Sequence, residues 1–211
     1  MGLGEGLYFG YRQLNWETPI LDVIMNAVEI CHLYISQGHN FVDHHGREPD
    51  EHPAIEVATI ECVAGRGIRG DRYFDHKDDY KGQITFFSLE VFDELCATLQ
   101  LQDCLPSLPR RNVITRNVDL NELIGNEFEV QGVRFYGTEE SRPCHWMERV
   151  IAPGAKEFLK GRGGLRAKIL SDGELRSTNP PVIPSEVEES RRETVKATSR
   201  DPSTSLRMTG A

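Results

Sequence analysis

Apolar and polar residues begin to alternate at residue 27, where Ala27-Val-Glu-Ile-Cys-His-Leu-Tyr-Ile35 reads as a strand. Ile55, Val57, Ile60 and Cys62 keep the two-residue period with one slip between 57 and 60, which predicts a strand carrying a bulge. Gln83-Ile-Thr-Phe-Phe-Ser-Leu89 is apolar on both of its faces and reads as a buried strand. The period then changes to that of a helix. Val91, Phe92, Leu95, Cys96 and Leu99 form one apolar stripe, and Ser88 precedes it as an N-cap. Asn112-Val-Ile-Thr115 predicts the next strand, and 119–124 a helical turn stopped by Gly125. Phe128-Glu-Val130 and Val133-Arg-Phe135 predict a hairpin about Gln131-Gly132. Pro143 opens a short helix, Ala155, Phe158 and Leu159 form a second apolar helix face, and 165–170 is a strand that turns at Asp172-Gly173. Many short strands with a few small helices predict a mainly β fold, a β-barrel with helical decoration.

Both ends depart from this pattern. In 177–211, fifteen of thirty-five residues are Ser, Thr or Pro and none is aromatic. Such a stretch cannot bury enough apolar surface to offset its ordering entropy, so 177–211 is expected to be a disordered low-complexity tail. Residues 1–26 read as an N-terminal extension, with Met25 a candidate start, which leaves 27–176 as the β domain. Pro180 and Pro181 are incompatible with a central strand, so the domain is expected either to lack its closing strand or to borrow another segment. A formal charge of −9 argues against nucleic-acid binding. No run approaches membrane-spanning length and no signal pattern opens the chain, which predicts a cytoplasmic protein without a membrane partner. Five cysteines without a close CxxC pair argue against a disulfide framework or a four-thiolate metal site.

The chemistry concentrates in Ser141-Arg142-Pro143-Cys144-His145-Trp146 and, seventeen residues after Cys144, Gly161-Arg162-Gly163-Gly164. A thiolate is both a soft metal ligand and a nucleophile, and a glycine- and arginine-rich turn offers N–H groups and guanidinium forks to an anion. The pair predicts a thiophilic metal or sulfur beside a phosphorylated cofactor. Most free cysteines are small buried hydrophobes, but the polar flanks of Cys144 favour a functional thiol. Arg110, Arg111 and Arg116 form one basic island, and Lys160, Arg162, Arg166 and Lys168 another. Gly67-Ile-Arg-Gly70-Asp71-Arg72 reads as a structural turn in which Asp71 binds backbone N–H groups. His39, His44, His45 and His52 lack metal-ligand spacing and read as a polar loop bordering a pocket.

Gly67-Ile-Arg-Gly-Asp71, Arg110-Arg-Asn-Val-Ile-Thr115, Asp119-Leu, Leu123-Ile-Gly125, Pro143-Cys144, Met147 and Gly161-Arg-Gly-Gly-Leu-Arg-Ala-Lys-Ile-Leu170 together resemble the MOSC domain, the C-terminal domain of molybdenum cofactor sulfurases, across residues 27–176. The chain is similar to the short stand-alone bacterial members. That resemblance implies a β-barrel that binds molybdenum cofactor (molybdopterin) and reduces N-hydroxylated small molecules. Cys144 would be the molybdenum ligand and the catalytic residue. Arg110, Arg111, Arg162 and Arg166 would hold the pterin phosphate with the amides of Gly163 and Gly164, and Asn112 and Thr115 would meet the pterin. It equally implies an alternative, a non-redox cofactor-binding protein or a persulfide sulfur carrier on Cys144. An external electron donor or sulfur donor would be needed, and no pyridoxal phosphate is expected in this chain.

Overall fold

Ile84, Thr85, Phe86 and Phe87 are all buried because their strand has packed layers on both sides. The computed structural model describes residues 28–40 and 50–181. Strands β1 (Glu29–Ile35), β2 (Ile55–Val57), β5 (Ile84–Ser88), β6 (Val113–Arg116), β7 (Glu127–Val130), β8 (Val133–Glu140) and β9 (Leu165–Ile169) form a seven-stranded sheet in the order β2-β1-β6-β5-β9-β8-β7. Strands β3 (Thr59–Val63), β4 (Gly67–Ile68) and β10 (Gly173–Arg176) form a three-stranded sheet, order β10-β3-β4. All pairings are antiparallel except β5 with β6. A parallel pair needs a long crossover, and here helix α1 (Leu89–Thr98) and the loop to residue 112 supply it.

Residues of β5, β6 and β1 divide between two cores. Ile84, Phe86, Val113, Ile30 and Leu33 face the small sheet and join Ile60, Cys62, Ile68 and Leu175. Phe87, Ile114, Cys31 and Tyr34 face the other way, onto Phe92 and Leu95 of α1 and onto two short helices, α2 (His145–Val150) and α3 (Ala155–Phe158). The order is therefore small sheet, large sheet, helices. Phe86, Phe128 and Phe135 knit the first core, with ring centroids 5.4 to 5.6 Å apart.

The strand-dominated architecture agrees with the sequence pattern, and so do the local signals. Ser88 caps α1, its Oγ accepting from Val91 N at 3.1 Å. The β7–β8 hairpin turns at Gln131 and Gly132, both at positive φ (51° and 82°), as a two-residue hairpin loop requires. Three details differ. The slip between 57 and 60 is a change of sheet rather than a bulge: β2 pairs with β1 while β3 pairs with β10 and β4, and Ala58 O accepts from Ser177 N at 3.0 Å. Residues 119–124 form turns with no α-helix, and α2 starts at His145, with Pro143 outside it.

Among the described residues no continuous ladder closes the two sheets into a barrel. Discrete bonds tie them instead. Gly65 N donates to Ile169 O at 2.9 Å, and the Gln131 amide bonds both Arg176 N and Arg176 O at 2.8 and 3.0 Å. Beyond β10, Thr178 N reaches Ile30 O at 2.8 Å. The chain before Pro180 thus supplies its own last strand and carries it across to β1, two residues into the segment read as tail. Residues 1–26, most of that tail, and His44 and His45 lie outside the described residues. Among those described, no helix is long and apolar enough to cross a membrane.

Candidate functional site

Cys144 is exposed, as the N-cap of α2, and its side chain makes no capping hydrogen bond. The thiol lines a cavity of about 220 Å³ together with Arg72, Arg110, Arg111, His39 and Trp146. Four separate segments meet there: the end of β1, the turn after β4, the loop before β6 and the start of α2.

Two arginines assemble the walls. Arg111 donates from Nε to Gly163 O (3.1 Å), from Nη1 to Pro109 O (2.9 Å) and from Nη2 to Ser141 O (2.7 Å). It thereby pins the cysteine segment, the glycine turn and its own loop together. Arg110 donates from Nη2 to Ser36 Oγ (2.7 Å) and Gly38 O (2.8 Å), and from Nη1 to His52 O. Among the described residues neither guanidinium has a carboxylate within salt-bridge distance. Burial pulls both down to about 10, with Cys144 opposing the shift at Arg111 and Asp71 opposing it at Arg110. Both remain cations at neutral pH.

Asp71 is the carboxylate beneath them. Its side chain is 1% exposed. Oδ2 accepts from Ser36 N (3.1 Å), Asn112 Nδ2 (3.2 Å) and Arg72 Nη1 (3.3 Å), and Oδ1 accepts from Tyr73 N (3.1 Å). Among the described residues, three guanidinium groups against one buried carboxylate make the cavity lining electropositive. The same field holds His39 below its ordinary value of 6.5, with burial first and Arg72 next among the causes. Such a surface attracts anions.

The two segments singled out in the sequence do touch. Ser141 N donates to Gly164 O at 2.7 Å, and a Cβ on Gly163 would stand 2.5 Å from Ser141 O and 2.9 Å from Pro143 Cδ. Glycine is what lets the turn lie flat against the strand leading to Cys144. The other candidates are placed elsewhere. Arg162 forms a bidentate pair with Glu94, its guanidinium stacked 4.8 Å above the Phe158 ring, and with Gly164 it lines a separate cleft of about 350 Å³ beside Ser88 and Asp119. Arg166 Nη1 donates to Glu139 Oε1 at 3.2 Å, next to Arg111 but outside the cavity lining. Asn112 is buried and committed: Oδ1 accepts from Thr85 N and Oγ1, while Nδ2 donates to Tyr34 O and Asp71. Thr115 pairs in register with Ser88 at the other end of β6, its Oγ1 donating to Phe87 O at 3.4 Å.

Arg72, Tyr73, Trp146 and Met147 also line the cavity. Arg72 had one signal, its position next to Asp71 in the glycine loop. The aromatic cluster behind it had none: Tyr73 stacks on Tyr80 at 5.1 Å and meets His39 and His76 edge-on at 4.8 and 5.4 Å, residues spread over four decades of sequence. Among the described residues no group of three or more His, Cys, Asp or Glu is arranged to hold a metal by itself.

No protein-family model matches the chain, nor does any curated protein sequence. Solved structures share its fold. The YuaD protein from Bacillus subtilis superposes with a TM-score of 0.57 at 17% identity, over 71% of this chain and 91% of that one. YiiM from Geobacillus stearothermophilus gives 0.53 at 11% identity, over 72% and 73%. At these identities the likeness establishes a common fold.

Proposed function

We propose that the chain is a MOSC-type domain whose Cys144 cavity binds molybdenum cofactor and reduces N-hydroxylated small molecules with electrons from an external donor. One observation carries this reading: an exposed thiol opens into the same cavity as three guanidinium groups that, among the described residues, have one carboxylate within salt-bridge distance, Asp71. The fold shared with YuaD and YiiM, which are MOSC-domain proteins, supports the family part of it.

The residues fit such a group in charge and in softness. A thiolate suits a metal already bearing sulfur ligands, and the guanidinium groups suit a phosphate. At about 220 Å³ the cavity is smaller than the ~300–1,000 Å³ of most small-molecule sites, so it fits the charged, sulfur-bearing end. Cys144 would hold the metal, Arg72, Arg110 and Arg111 would neutralise the anion, and Tyr73 and Trp146 would flank what enters. When bound, the cofactor supplies two-electron oxygen-atom transfer. Arg111 has a second task. By bonding three carbonyls from three segments it keeps Cys144 facing the cations, which a lysine with a point charge could not reproduce. Arg162, Gly164 and Thr115 lie away from the cavity and serve a larger ligand only if it reaches the second cleft.

The test is elemental and kinetic. Purified protein is analysed for molybdenum and pterin, then assayed for reduction of an amidoxime with an artificial donor. Cys144→Ala should abolish metal retention while shifting stability by no more than about 0.5 kcal/mol, because the side chain is exposed. Metal without turnover would point to the non-redox cofactor-binding protein, and one added sulfur atom on Cys144 to the persulfide carrier. Full metal retention and turnover in Cys144→Ala would overturn all three.

A further inference from the structure

The start of α1, the turn at 118–121 and the glycine turn enclose the cleft of about 350 Å³ that Arg162 and Gly164 line. It shares no lining residue with the Cys144 cavity. Part of the lining is apolar: Leu120 belongs to the first core, Val118 packs against that core, and Val91 packs against the second. The polar groups are fixed by bonds among themselves. Asn121 N donates to Asp119 Oδ1 at 2.9 Å, and Asn121 Nδ2 donates to Gly161 O at 3.0 Å, which ties the 118–121 turn to the turn that carries Arg162. Glu90 accepts from Ser88 Oγ at 2.8 Å and from Asn117 N at 2.9 Å. Arg162 uses two of its five N–H donors on Glu94, and its stack on Phe158 holds the plane of the guanidinium. Among the described residues, the other three donors and Asp119 Oδ2 have no hydrogen-bond partner.

We propose that this cleft binds a free α-amino acid with an aliphatic side chain, its ammonium on Asp119 and Glu90, its carboxylate on Arg162 and its side chain against Val91, Val118 and Leu120. Simpler ligands each fail one part of the lining. A phosphate would meet two carboxylates and a single guanidinium whose charge Glu94 already offsets. A plain amine would leave the donors of Arg162 without an acceptor. A neutral apolar molecule would take water from three charged groups and return nothing to them. A zwitterion answers both signs at once, and the planar guanidinium can hold its carboxylate through two parallel N–H bonds. The volume lies near the lower end of the ~300–1,000 Å³ of small-molecule sites, which suits a ligand about the size of leucine. The site binds and need not react. It is independent of the proposed function, because it uses none of the residues around Cys144.

Ligand-observed NMR titration of the full chain with L-leucine, 3-methylbutylamine and 4-methylpentanoate tests the proposal. The two analogues keep the aliphatic chain and lack, in turn, the carboxylate and the ammonium. L-leucine should bind with a Kd at or below about 1 mM, and each analogue should bind about tenfold more weakly or worse. Arg162→Lys keeps a cation beside Glu94 but lacks the fork, so it should weaken L-leucine about tenfold and leave 3-methylbutylamine as it was. Asp119→Asn, whose amide oxygen can still accept from Asn121 N, should weaken L-leucine and 3-methylbutylamine together. The three ligands on the parent chain decide the matter even where a variant folds poorly. No binding at about 10 mM L-leucine, equal affinity for L-leucine and either analogue, or L-leucine binding that both folded variants leave intact would each overturn the proposal.

Discussion

Asp71→Asn tests the logic of the cavity most directly. The substitution keeps the shape of the side chain but removes its charge and turns one oxygen into an NH₂ donor. Asp71 accepts four hydrogen bonds, from Ser36 N, Asn112 Nδ2, Arg72 Nη1 and Tyr73 N. In the better of the two amide orientations the remaining oxygen keeps the first three and the new NH₂ faces Tyr73 N. A buried donor left without a partner costs about 1–3 kcal/mol. The three retained bonds lose their charge assistance, and the Arg72 pair loses its counter-ion at a site 10% and 1% exposed. The sum is about 3 kcal/mol. For a chain of 211 residues that corresponds to a fall in Tm of about 6–12 °C. Thermal unfolding followed by circular dichroism, with a urea midpoint as a second measure, reads it out. A fall of less than about 2 °C would refute the argument, because the carboxylate would then be dispensable to the loop that holds Ser36, Arg72 and Arg110 together.

Two glycines with similar backbone conformation should respond differently to alanine. At Gly161 (φ 76°) nothing lies within 4 Å of the added Cβ, so Gly161→Ala should cost only the left-handed penalty of about 1–2 kcal/mol. At Gly164 (φ 97°) the Cβ would stand 2.2 Å from Phe86 O, and the turn must move off β5, so Gly164→Ala should cost more than about 3 kcal/mol; equal urea midpoints would contradict this. Glu148 accepts from Gly154 N (2.9 Å) and Lys156 N (2.6 Å), which hold its carboxyl below the ordinary value of 4.5. A lowered carboxyl contributes stability above that pH and loses it as the pH falls through the folded-state value. Glu148→Gln should therefore be less stable than the parent at neutral pH, with the difference vanishing in acid. A gap that persists in acid would mean that shape, not charge, is the cause.

Short-range rules were legible in the chain. Ser88 as a cap, the Gln131-Gly132 hairpin and the two-sided apolar run of β5 each depend on residues within a few positions of one another, and each took the form its local chemistry dictates. The junction at 57–60 was misread because a bulge and a change of sheet leave the same one-residue slip in the pattern. Only the partners distinguish them, and those partners, Leu33 on one side and Leu175 on the other, are distant in sequence. Gly173-Glu-Leu175 likewise reads as part of a turn, whereas it lies in β10, paired with the distant β3; beyond Arg176 and the prolines at 180 and 181, no further strand among the described residues closes the sheets into a barrel.

For the site, the sequence alone determined the chemical inventory: a thiol with polar flanks, paired arginines, a flexible turn and an aspartate suited to binding amides. These are properties of residue types and of near neighbours. Which arginines share a cavity with Cys144 was decided only by the tertiary structure. Arg162 is two residues from the glycine that touches the cysteine segment, yet it turns to Glu94 on α1, while Arg72, seventy-two positions before Cys144, joins it. Long flexible side chains go to whichever partner the packing of distant elements presents, and a guanidinium beside a free carboxylate loses less by pairing with it than by facing a cavity.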